Sequence, residues 1–101
     1  MAIQTQLSDD GQTLTIRIDG RFDFSTHQSF RDAYEKGDQD VREYVIDMSG
    51  TRYLDSSALG MLLLLRDYAG GEDSRVRIRN CNSDVKRILT ISNFEQLFTI
   101  E

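Results

Sequence analysis

The stretch YVIDMSGTRYLDSSALG, Tyr44 to Gly60, decides how the chain folds. Tyr44-Val45-Ile46-Asp47-Met48 is an apolar run of strand length and reads as a buried strand. Ser49 to Leu54 connects it to a helix that begins near Ser56 and ends by Gly70-Gly71, a natural stop. Downstream, Arg75-Val76-Arg77-Ile78-Arg79 alternates cleanly, as a strand with one wet face does. Asn82 or Ser83 then caps a further helix with Val85, Ile88 and Leu89 on one side, and Leu97 to Ile100 is a last strand. Upstream, Ile3 to Leu7 and the alternating Leu14 to Ile18 flank the turn residues Asp9-Asp10-Gly11 and pair antiparallel. A loop, Gly20 to Phe24, follows. Ser25 or Thr26 caps the first helix, where Phe30, Ala33 and Tyr34 share a face and Gly37 is the stop. Strands alternating with helices predict an α/β domain whose later strands join by right-handed crossovers into a largely parallel sheet.

A chain of 101 residues holds one hydrophobic core, and residues 1–101 are read as one domain. Apolar residues at 39% and charged residues at 29% suit a soluble globular protein rather than a disordered one. With 12 Lys and Arg against 17 Asp and Glu, the net charge is −5. Nucleic acid is an unsuitable partner, because binding it needs a basic face to neutralise phosphates. An anionic membrane surface is disfavoured for the same reason. The longest apolar run, Ala58 to Leu65, is interrupted by Gly60 and falls well short of the roughly 18 residues of a membrane span. The start, Met1 to Gln6, has neither the basic nor the apolar region of an export signal. Cys81 is the only cysteine, which excludes an intramolecular disulfide. The cytoplasm is the expected location.

His27 is the only histidine and is expected to lie exposed in the first helix, so histidine-rich metal sites are excluded. Cys81, just after a strand, reads as a small buried residue rather than a nucleophile. There is no Gly-rich phosphate loop with its Lys and no dinucleotide fingerprint. No catalytic residue, cofactor or metal is therefore expected. Arg75, Arg77 and Arg79 read as the solvated face of an edge strand, or as a row meeting an acidic partner.

Tyr53 to Gly60 is the distinctive segment. A strand-to-loop-to-helix passage puts Asp55 or Ser56 at the helix cap, where side-chain oxygens accept from unpaired backbone amides. Taken alone, the Asp-Ser pair is either a cap or a place where those amides and the helix dipole receive an added phosphate. At 100° per residue, Ala58, Leu62, Leu65 and Ala69, flanked by Met61 and Tyr68, face the sheet. Ser57, Gly60, Leu63, Leu64 and Asp67 fall on the opposite side. Leu63 and Leu64 then either belong to a partner-binding patch, or one of them is covered by the third helix.

Asp55-Ser56-Ser57-Ala58-Leu59-Gly60 resembles the phosphorylation motif of the anti-sigma factor antagonists, members of the STAS domain family. The usual pattern there is Asp-Ser-Ser/Thr-Gly-Leu-Gly, with the serine after the Asp as phosphate acceptor; here that is Ser56, and Ala58 stands where Gly is common. Gly20-Arg21-Phe22-Asp23 is similar to the family's Gly-x-Leu/Phe-Asp loop, whose Asp lies near the phosphorylation site. Val45 to Met48 and Val85 to Leu89 resemble the strand leading to the site and the third helix.

The resemblance implies a single STAS-like domain with a mixed, mostly parallel sheet of about five strands and three main helices. Many relatives carry a further C-terminal helix, whereas this sequence reaches Glu101 soon after the last expected strand. One face of the sheet or helix layer is accordingly expected to be more open. The resemblance also implies partner switching without catalysis. The unphosphorylated protein binds an anti-sigma factor, often itself a serine protein kinase, phosphorylation of Ser56 breaks the complex, and a serine phosphatase restores it. Asp23, Asp55 and Ser57 would lie near the phosphosite, and Asp55, Ser56, Gly60, Leu63, Leu64 and Asp67 would form the partner-binding face. The rival classes are a non-phosphorylated scaffold or transporter-associated subunit, a phospho-switched adaptor with an output other than a sigma factor, and a small enzyme using Asp23.

Overall fold

The computed structural model describes residues 3–35 and 41–101; the Gly37 stop lies outside the described residues. The elements are β1 (Ile3–Leu7), β2 (Thr13–Ile18), β3 (Gly20–Phe22), α1 (His27–Glu35), β4 (Glu43–Asp47), β5 (Thr51–Leu54), α2 (Ser56–Tyr68), β6 (Val76–Arg79), α3 (Ser83–Ile91) and β7 (Thr99–Ile100). Five strands form one sheet in the order β1-β2-β4-β6-β7. β1 and β2 pair antiparallel, and every other neighbouring pair is parallel. The mixed, mostly parallel sheet with three helices is as expected.

One face of this sheet makes the core. Leu14, Ile16 and Ile18 of β2, Tyr44 and Ile46 of β4, and Val76 and Ile78 of β6 are all buried. They join Phe30 and Tyr34 of α1, Ala58, Met61, Leu62 and Leu65 of α2, and Val85 and Leu89 of α3 in one cluster. The opposite face carries Thr15, Arg17, Glu43, Asp47, Arg77 and Arg79, none of them buried. Val45 alone is buried there, between Thr15 and Arg77 in the register. Among the described residues no helix is long and apolar enough to cross a membrane.

Several expectations need correction. Gly20 to Phe22 is a strand rather than a loop, and four of the six residues of the expected Ser49–Leu54 connection, Thr51–Leu54, are its partner. β3 and β5 form a separate parallel pair, with Phe22 opposite Leu54. The reason is burial: Phe22 and Leu54 are both core residues, and Gly20, at φ 82°, turns the chain so that its N–H reaches the Gly50 carbonyl at 2.8 Å. Strands this short carry too little periodicity to read. β6 is not an edge strand, because β7 pairs outside it; Arg77 lies between Glu43 at 3.2 Å and Glu101 at 3.5 Å. The last strand is only Thr99–Ile100, since Phe94 to Gln96 winds into a 3-10 turn that buries Phe94. His27 is half-buried, its ring stacked on exposed Phe24 at 5.5 Å. Cys81 is half-buried against the core, and burial pushes its thiol pKa up.

Thr51 links the two sheets. It is 1% exposed, its hydroxyl donates to the Ile18 carbonyl at 2.7 Å, and its own carbonyl accepts from Asn82 Nδ2 at 3.1 Å. Thr51→Val keeps the shape but removes the Ile18 donor, and a buried acceptor deprived of its donor costs about 1–3 kcal/mol. We expect a folded variant whose thermal midpoint falls by about 4–8 °C per kcal/mol lost. An unchanged melting curve would show that this bond contributes nothing.

Candidate functional site

The site is built where β3 and β5 end side by side. Phe22 and Leu54 are opposite each other, so the next residues, Asp23 and Asp55, emerge together. Each follows its strand directly and caps the helical segment after it. Asp55, in extended conformation, is the N-cap of α2. Its Oδ1 accepts from the Ser57 amide at 3.0 Å, the Ala58 amide at 3.2 Å and the Ser57 hydroxyl at 2.5 Å. Asp23 repeats this arrangement. Its Oδ1 accepts from the Ser25 amide at 3.0 Å and the Ser25 hydroxyl at 2.5 Å, capping a 3-10 turn, Phe24–Thr26, that runs into α1. The expected cap at Ser25 or Thr26 is thus corrected to Asp23: a carboxylate reaches two donors two residues ahead, whereas Thr26 is buried and gives its hydroxyl to the Asp23 carbonyl at 2.8 Å.

Both carboxyls are held below their ordinary range. The Ser57 hydroxyl is the main cause for Asp55, with smaller help from the amides, while burial and the nearby Asp23 charge push the other way. For Asp23 the Ser25 hydroxyl leads, followed by the Arg21 guanidinium, whose Nε lies 3.2 Å from Oδ2. Arg21 also sits over the Tyr53 ring, 4.4 Å from its centroid, a cation–π contact. Two carboxylates stay ionised side by side because each is neutralised locally by donors.

Three hydroxyls in the segment have different fates. Thr51 is buried and bonded to Ile18. Ser57 is half-buried and committed to Asp55. Ser56, the first residue of α2, is exposed, and its hydroxyl makes no hydrogen bond to the described residues. One expectation changes here. The α2 amides of Ser57 and Ala58, counted as receptive to an added phosphate, are already taken by Asp55.

Along α2 the buried stripe is Ala58, Met61, Leu62 and Leu65, as expected. Ala69 is half-buried; Tyr68 is 50% exposed and rests on the Tyr34 ring at 5.1 Å. On the outer face Gly60 and Asp67 are exposed, and Leu63 and Leu64 are 38% and 53% exposed. The open alternative for the two leucines resolves toward the surface, since both are exposed. Gly60, one turn beyond Ser56, has helical backbone, and a Cβ there would meet nothing within 4 Å. Exposed Phe24 and Tyr53 also border the site; sequence reading passed over both. A usable signal was present, because Asp23-Phe24-Ser25 repeats the Asp-x-Ser spacing of Asp55-Ser56-Ser57. Among the described residues, no three His, Cys, Asp or Glu side chains converge to hold a metal ion.

Comparison with known proteins places this geometry in a family. The family model described as "Mlab, STAS domain" matches residues 5–99. A STAS-domain containing protein of Pseudomonas aeruginosa (strain UCBPP-PA14) is 61% identical over 100 residues, covering 99% of both chains. Among solved structures, the anti-sigma factor antagonist SpoIIAA in its unphosphorylated form aligns with a TM-score of 0.72 at 16% identity, over 99% of this chain and 87% of that one. The phosphorylated form of SpoIIAA, from Bacillus, aligns at 0.69 and 16% identity, over 99% and 91%. A sulfate transporter family protein from Wolinella succinogenes aligns at 0.74 and 10% identity, over 93% and 80%. At such identities the structures share a fold with this chain, while the family model and the Pseudomonas relative span nearly all of it: the chain belongs to the STAS domain family.

Proposed function

We propose that the protein is a phosphorylation-switched binding module of the anti-sigma factor antagonist type, with Ser56 as the switch. The observation that carries this reading is the contrast among neighbouring hydroxyls: Ser56 is exposed and uncommitted, Ser57 is tied into the cap, and Thr51 is buried. In the bare form, Ser56, Gly60, Leu63 and Asp67 recur along one line of α2 and present an exposed strip, with Leu64 and Asp55 beside it. An anti-sigma factor, or a serine protein kinase acting as one, docks there. The kinase then modifies Ser56, and a serine phosphatase reverses the change. The protein acts by binding and performs no turnover of its own.

The electrostatics support a local switch. Phosphorylation adds about −1.5 to −2 charge at neutral pH, beside Asp55 and Asp23 on a chain already at −5. Because Asp55 occupies the Ser57 and Ala58 amides, the added group points toward solvent. In the free protein water screens it. Against a docked partner it must be desolvated beside two fixed carboxylates. Disrupting a buried charged contact costs about 2–5 kcal/mol, which is roughly 30-fold to several thousandfold in affinity. No refolding is required.

A second reading rests on the family model itself and on the transporter-family likeness: a non-phosphorylated subunit of a membrane transport assembly, which co-purification with membrane ATPase components would favour. A switched adaptor with an output other than a sigma factor differs only in the partner. Turnover of a substrate, lost in Asp23→Ala, would instead make the protein an enzyme.

The deciding experiment compares Ser56→Ala and Ser56→Asp as baits in the native cell, with mass spectrometry to locate the phosphate. Ser56→Ala holds its partner constitutively. Ser56→Asp loses it by roughly 30-fold or more while melting like the wild type. Phosphate found only on Ser57 or Thr51, or a partner retained equally by both baits, sinks the reading. Gly60→Ala tests the face separately. With open space around the new methyl, it stabilises the helix by about 0.5–1 kcal/mol yet weakens docking, as does Leu63→Glu or Leu64→Glu in a folded protein. Full binding by all three variants would move the interface off α2.

A further inference from the structure

The sheet's two edges are unlike. At one, β7 is two residues long, beside the charged cluster of Arg77, Glu43 and Glu101. At the other, β1 pairs with β2 without a break in register from Ile3–Ile18 to Leu7–Leu14, and among the described residues no strand pairs with its outer edge. Such edges are ordinarily protected by charged side chains, proline or a bulge. Ile3-Gln4-Thr5-Gln6-Leu7 has none of these.

The strand is also self-complementary about its middle residue. A two-fold axis through Thr5, with the strands antiparallel, places Thr5 opposite Thr5, Gln4 opposite Gln6, and Ile3 opposite Leu7. On the polar face the pairs join amide to amide, with no like charges opposed. On the helix face Leu7 is 41% exposed and Ile3 is buried. Beside Ile3 lies a concavity of about 280 Å³ lined by Ile3, Thr5, Ser29, Asp32 and Ala33. The pairing brings Leu7 of the second copy over it, so that each exposed leucine finds an apolar floor in its neighbour. The same patch meets itself, as a two-fold dimer requires.

We infer that β1 is a self-association edge, and that two copies join through it into one continuous ten-stranded sheet. The contact is independent of Ser56 and of any proposed partner. A five-residue edge with two leucine contacts belongs to the small, weak class of interfaces, so association is concentration-dependent.

Cross-linking reads the register directly. Residues directly opposite across an antiparallel pair have Cβ atoms about 4.5–5.5 Å apart, close enough for a disulfide after a small adjustment. In a Cys81→Ser background, Thr5→Cys should form a covalent dimer in a glutathione buffer. Leu7→Cys should not, since the two copies of that position lie four residues out of register, about 13 Å apart. Sedimentation equilibrium of the otherwise unaltered protein should show a reversible monomer–dimer equilibrium through the high-micromolar range. Thr5→Lys, which sets two ammonium groups face to face on an exposed strand, should abolish it with the circular dichroism spectrum unchanged. The inference fails if the unaltered chain stays monomeric, if Thr5→Lys still dimerises, or if Leu7→Cys cross-links as fast as Thr5→Cys.

Discussion

The carboxylate of Asp55 sets the phase of α2. By taking the Ser57 and Ala58 amides on one oxygen, it makes Ser56 the first helical residue and leaves the next bond to the Asp55 carbonyl, which accepts from the Leu59 amide at 3.2 Å. Once the start is set, 3.6 residues per turn determine the rest. Ala58, Met61, Leu62 and Leu65 turn inward, and Ser56, Gly60, Leu63 and Asp67 turn outward. A start shifted by one residue would rotate the helix by 100° and bury a serine in place of an alanine. Stability and display of the outer face thus rest on the same cap.

That cap is not isolated. β3 exists because Phe22 and Leu54 must both enter the core, and their pairing brings the Asp23 cap alongside the Asp55 cap. Two acceptors of like charge are tolerated because each has a serine hydroxyl and backbone amides of its own, and Asp23 also has Arg21. The Ser25 and Ser57 hydroxyls and the Ser25, Ser57 and Ala58 amides are consumed in that balance, whereas the Ser56 hydroxyl is not. The first amides of α2 at Ser57 and Ala58 are thus already engaged beside the exposed Ser56.

Much of this was legible from the chain itself. β1, β2, β4, β6 and the three helices follow from alternation, from apolar runs and from the i, i+3, i+4 recurrence of residues such as Phe30, Ala33 and Tyr34. The buried stripe of α2 follows from its angular spacing. Tertiary context decided what was not legible. β3 and β5 are three and four residues long and gain their identity from each other. The arginines of β6 read as the solvated face of an edge strand, whereas Arg77 is engaged by acidic residues from a neighbouring strand and from Glu101. Asp23 as a cap was visible in the Asp-x-Ser repeat, but only pairing shows that the two caps adjoin.

The β1 edge and the outer face of α2 are also arranged compatibly. β1 runs antiparallel to β2, so Ile3 lies at the end of the sheet from which β2 leads through Gly20–Phe22 to Asp23, and Leu7 lies at the opposite end. Pairing through Thr5 reverses the second copy. The two Ser56 faces then sit at opposite ends of the joined sheet, and neither is covered by the contact. A dimer so assembled leaves the outer face of α2 open in each copy, and the proposed Ser56 switch would act on each copy separately.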